Sequence, residues 1–163
     1  MLGERLRERL EELIARYVTR MRNDPAIPRA RDLPRPLLED HAMSFLSDLF
    51  QSIVVLEKTE NLKNADESDL LKDGSRIQRL VGELHGRQRH RIGWTEEALH
   101  REYQILDEEV AALAKRHAST PDALDWTLDH LKHLLTRAHD ASYAAYGDAA
   151  RVGRTQKPAT TQG

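Results

Sequence analysis

The chain has 163 residues, of which 39% are hydrophobic, 5% aromatic and 32% charged, and its formal net charge is -2. That length suits one domain able to bury roughly 70% of its extended-chain surface. The absence of cysteine excludes a disulfide framework, a thiol nucleophile and thiolate metal sites, and the near-neutral charge disfavours nucleic acid as a partner.

The apolar supply is Leu, Ala, Ile and Val rather than aromatic, as helix packing prefers. No apolar run approaches the ~20 residues that span a bilayer, and the polar opening Met1-Leu2-Gly3-Glu4-Arg5 lacks a signal-peptide core, so a soluble cytoplasmic protein with no membrane contact is expected. The first predicted helix runs from about Glu4 to Arg22, with Leu6, Leu10, Leu13, Ile14, Tyr17, Val18 and Met21 on one face. Pro25 stops it, and Pro28, Pro34 and Pro36 keep the following link extended. A second helix, about Pro36 to Lys58, carries a wide stripe from Leu38 through Phe45, Leu49 and Ile53 and should be the most buried. From Thr59 to Asp73 the polar, mostly acidic composition predicts a mobile loop.

Ser75 offers an N-cap for a third helix that ends near Arg91 at Gly93, and Gly82 with Gly86, four apart, suggest a close backbone approach to a neighbour. Thr95, followed by Glu96 and Glu97, starts a fourth helix, and Thr120-Pro121-Asp122 starts a fifth. Both carry apolar residues spaced alternately four and three, from Leu99 to Leu113 and from Leu124 to Leu135, so a near-parallel antiparallel pair and an all-α bundle of about five helices follow. The domain is expected to span residues 1–147, with 148–163 a disordered tail or linker stump.

Catalytic signatures are missing from this pattern: there is no glycine-rich phosphate loop, no nucleophile elbow and no predicted strand to carry either. Glu97-x-x-His100 has the spacing of di-iron bundles but lacks the second such pair. His130 and His133, at i and i+3, form a weak divalent-metal alternative, and His41, His85, His100 or His117 could ligate haem in a helical sensor. The stronger signal is His85-Gly86-Arg87-Gln88-Arg89 followed by Glu102-Tyr103. His85 and Arg89 share a face of helix three, and an antiparallel turn through Gly93-Trp94 brings Arg89 to Glu102, with the Tyr103 hydroxyl or His85 closing the network.

At these residues the chain resembles the N-terminal sensory domain of RsbR-type stressosome co-antagonists, also found ahead of bacterial histidine kinases. The resemblance rests on the opening amphipathic helix with its proline link, Leu38-Glu39-Asp40-His41, His85-Gly86 with Arg89, and Leu99-x-x-Glu102-Tyr103-x-x-Leu106, and it covers most of residues 4 to 145. It implies a non-enzymatic helical input module, usually dimeric, that signals through its last helix to a STAS-type regulatory domain or a histidine kinase; no cofactor is expected, with a haem- or metal-binding sensor as the alternative. His41, His85, Arg89, Glu102 and Tyr103 are then the positions of a signal-responsive polar core. No output domain follows helix five, so an excised sensor or one acting on a partner in trans is expected.

Overall fold

The computed structural model describes the backbone over residues 1–60 and 67–156 and the side chains over 1–59 and 76–156. Every regular element among them is helical: α1 (Leu2–Glu8), α2 (Leu10–Asn23), a 3-10 turn (Pro28–Asp32), α3 (Arg35–Glu39), α4 (Ala42–Glu60), α5 (Glu67–Arg91), α6 (Glu96–His117) and α7 (Pro121–Thr155). The all-α class therefore holds, but two of the five predicted helices are broken. The first bends at exposed Arg9, which lets α1 bury Leu2 and Leu6 against α4 while α2 turns Leu13, Ile14, Tyr17 and Val18 toward α6. The Glu57 carboxylate fixes that entry angle by accepting the free amides of Leu2 and Gly3 at 2.9 and 3.1 Å. The second breaks at Asp40, which adopts φ 45° and ψ -117°.

The acidic stretch also departs from expectation. Backbone helix reaches Glu60 and resumes at Glu67, so the predicted loop is helical on both flanks; its centre, 61–66, lies outside the described residues. Ser75 is consequently an interior backbone position of α5 and not its first residue. Helix α7 passes Gly147 without interruption and continues to Thr155, so the boundary expected there leaves no mark on the backbone, and residues 157–163 lie outside the description.

Leu46, Leu49, Phe50 and Ile53 of α4 share one continuous core with Leu99, Ile105, Leu106 and Leu113 of α6 and the apolar face of α2. The expected α6 and α7 pair packs together, but the most extensive helix contact is between α5 and α7. Its cause is the glycine pair. A Cβ on Gly82 would stand 2.6 Å from the Ala138 carbonyl oxygen and one on Gly86 2.1 Å from that of Ser142, so only glycine lets the two backbones touch. Thr95 and Thr120 cap α6 and α7 as predicted, their side chains accepting from the amides of Ala98 and Ala123.

Candidate functional site

A buried ionic cluster forms where α2, α3, α5 and α6 converge. Helix α5 ends in a glycine-terminated turn: Gly93 has φ 84°, and the Trp94 amide reaches back to the Arg89 carbonyl at 3.0 Å. This turn folds α6 back along α5 and sets Arg89, 0% exposed, against Glu102, 1% exposed. The guanidinium donates from Nε to Glu102 Oε2 at 3.0 Å and from Nη2 to Oε1 at 2.6 Å, a two-pronged contact, while its flat face lies 4.3 Å from the Trp94 ring centroid.

Its remaining donors go to two main-chain carbonyls and one side-chain amide. Nη1 bonds the Leu37 carbonyl and Nη2 the Leu38 carbonyl, each at 2.7 Å, and Nη1 also reaches Gln88 Oε1 at 2.9 Å. Those two carbonyls belong to the last turn of α3. A helix continuing through Asp40 would pair them with the amides of His41 and Ala42, so Arg89 stands in for the next turn of helix. The break leaves Asp40 at a positive φ, a conformation normally held by glycine and costly for other residues. In return the Asp40 carboxylate turns inward, where Oδ2 accepts from His85 Nδ1 at 2.9 Å; His85 Nε2 donates to Glu102 Oε2 at 3.0 Å. The Tyr17 hydroxyl of α2 closes the set with a short bond to Glu102 Oε1.

With both ring nitrogens facing carboxylates, His85 acts as a double donor, and the cluster balances two cations against two anions. Burial alone would lower the His85 pKa, but the Glu102 charge and the bonds to Asp40 and Glu102 outweigh it and the repulsion of Arg89, leaving it above the ordinary imidazole value. Burial likewise pushes Glu102 up, and Arg89 and His85 together hold it far below the usual carboxylate range. Asp40 is also net lowered: its burial is outweighed by the His85 bond and charge.

The sequence-predicted residues divide accordingly. Arg89, Glu102 and His85 are brought together as expected. Tyr103 is not part of this network: Ser142 donates to the Gly82 carbonyl at 2.6 Å, and the Tyr103 hydroxyl pairs with Ser142 at 2.6 Å, so it locks the α5–α7 seam instead. Its ring stands edge-on to His85 at 5.9 Å. His41 is 48% exposed and reaches Asp40 only at 3.7 Å, so it stands at the rim. Tyr17, Asp40 and the Leu37 and Leu38 carbonyls were missed. Tyr17 reads as one more apolar position on its stripe, and nothing in Leu38-Glu39-Asp40-His41 signals a broken helix.

A small cavity of about 30 Å³, open to water, adjoins the cluster between Tyr17, His41, Phe45, Gly82, His85 and Tyr103. The histidines weighed for metal or haem are scattered over different helices and faces. His130 bonds the Trp126 carbonyl at 2.8 Å and packs on that indole, His133 is exposed, and His100 stacks on His139 at 5.4 Å. Among the described residues no three His, Cys, Asp or Glu side chains are grouped to hold a metal ion, and no helix is long and apolar enough to cross a membrane. Compared with protein-family models, with curated proteins and with solved structures, the chain matches none.

Proposed function

We propose that this chain is a non-enzymatic input module of bacterial signal transduction, a homodimer that relays a cue through helix packing to a regulatory protein or histidine kinase. One observation carries the reading. Arg89 holds the two carbonyls that a continuous α3–α4 helix would use itself, so the joint at Asp40 has two competing sets of donors for the same acceptors. Such competition makes a two-state element: released by Arg89, the carbonyls can take the His41 and Ala42 amides and Asp40 can relax to helical φ. The sequence of residues 36–58, a single uninterrupted helical pattern, favours that second state.

The charges are arranged for switching more than for turnover. Every cation and carboxylate in the cluster is engaged by another protein group. Loss of the His85 proton, or a small ligand that competes for the His85–Asp40 bond, would free the joint, and because His85 and Arg89 share α5, the change passes to α7 through the glycine seam.

The test uses the full chain with a bacterial regulatory protein or histidine kinase that binds it. Asp40→Asn and His85→Gln, both expected to stay folded, should alter the affinity for that partner or the partner's phosphorylation rate, and hydrogen exchange at the His41 and Ala42 amides should slow. A partner that binds wild type and both variants alike, with unchanged exchange at the joint, would refute the proposal.

A further inference from the structure

Helix α5 has a third face that neither the ionic cluster nor the glycine seam uses. Ile77, Leu80 and Leu84 are 51%, 56% and 42% exposed, and steps of three and four residues place them in one stripe on the side away from Gly82 and Gly86. Scattered exposed leucines are ordinary, but a stripe at heptad spacing on a long helix is an interface pattern. Leu37, 41% exposed, lies beside it, since its carbonyl is bonded by Gln88, one turn on from Leu84.

The charge along the helix identifies what covers it. The sequence of α5 is acidic in its first third, with Glu67, Asp69 and Asp73, and basic in its last, with Arg87, His90 and Arg91, while Leu80 sits one residue from the midpoint of its 25 residues. Two copies of α5 packed antiparallel about a two-fold axis near Leu80 would lay stripe on stripe, set each acidic end beside the other's basic end, and oppose the two helix dipoles. A parallel pair would stack like charge on like. We infer that the exposed face of α5 is the self-association surface of this protein, occupied by α5 of a second copy running antiparallel. This rests on the reading of the chain as a homodimeric module and names its interface; it also places the contact on the helix that carries His85 and Arg89.

Sedimentation equilibrium of the full chain at tens of micromolar checks it. The wild type should be dimeric and weaken as salt rises. Leu80→Glu, at an exposed position, should keep its helical circular dichroism and weaken the dimer by ~100-fold or more, whereas Val152→Glu, on the exposed end of α7, should leave it intact. Because the chain has no cysteine, single thiols report the orientation. Leu80→Cys should cross-link to itself, and a mixture of Ile77→Cys and Leu84→Cys should cross-link more readily than either alone. A dimer that survives Leu80→Glu, or equal self-linking at 77, 80 and 84, overturns the face or its orientation while leaving the α3–α4 joint standing. A wild type that stays monomeric overturns the interface, and hydrogen exchange at the joint still judges the switch separately.

Discussion

Helix α6 carries two buried carboxylates seven residues apart, Glu102 and Glu109, both facing α2, and they find their cations from opposite directions. Opposite Glu109, α2 supplies Arg16 at 2.9 Å and Arg20 at 3.1 Å, side chains 51% and 34% exposed that reach in from solvent. Opposite Glu102, α2 supplies only the Tyr17 phenol, so the cation comes from α5 and is itself fully buried. The first arrangement staples two helices and stays wet. The second ties α2, α5, α6 and the end of α3 through one carboxylate, and in that dry setting each charge depends on all the others.

Removing the shared carboxylate should therefore have the largest effect. Glu102→Gln keeps the shape but leaves a buried guanidinium without its counter-ion, and a loss of about 3–5 kcal/mol is expected in urea unfolding. A loss comparable to that of an exposed pair would erase the distinction between the two sites. Gly86→Ala asks whether α5, and with it Arg89, is positioned from the α7 side. The added methyl meets a backbone oxygen at 2.1 Å and cannot be accommodated by a side-chain rotation. The strain should exceed the ~1 kcal/mol gained in helix propensity and leave a net loss of about 2 kcal/mol, with weakened protection of the Arg89 contacts in hydrogen exchange.

These two sites also mark how far the sequence can be read. The Arg89–Glu102 pair and the glycine seam were legible because each depends on local rules: a four-residue step on α5, a glycine turn, and two glycines whose cost in a helix demands a reason. The α3–α4 joint was not. Leu38-Glu39-Asp40-His41-Ala42 has the residues of an uninterrupted helix, and what breaks it is a guanidinium from a position about fifty residues away. Tertiary hydrogen bonding there overrides local propensity, and no periodicity argument sees it. Tyr103 failed for a related reason: its position on the seam of α6 was right, but the partner of its hydroxyl was decided by the α5–α7 contact, which the heptad spacing of α6 and α7 concealed.

Acidity bears on the buried cluster as well. His85 has its folded-state pKa raised above 6.5, so its contribution to stability is complete below that value and is lost as pH rises through the higher folded-state value. Glu102 and Asp40 have theirs lowered, so their contributions are present above about 4.5 and 3.8 and are lost as pH falls through the folded-state values. As far as the cluster governs it, stability should be greatest between about pH 4.5 and 6.5 and fall on both sides. In His85→Gln the decline above neutrality should flatten while the acid limb remains. A wild-type unfolding free energy that does not change from slightly acid to mildly alkaline pH would show that His85 carries no proton in the fold.

The wet pair should respond least, and by a different route. Arg20→Ala removes a partner of both Glu108 and Glu109 but leaves Arg16 on Glu109. The remaining carboxylates can draw on water and Arg16, so the expected loss is no more than ~1 kcal/mol. Because its charges lie within reach of counter-ions, that loss should shrink further at high salt, whereas the Glu102→Gln loss should persist, since ions do not enter a site with both partners buried. Urea midpoints of the two variants at low and high salt decide the matter: equal salt sensitivity would mean that solvent reaches Glu102 as freely as Glu109, and the cluster could not then hold the α3–α4 joint by its charges.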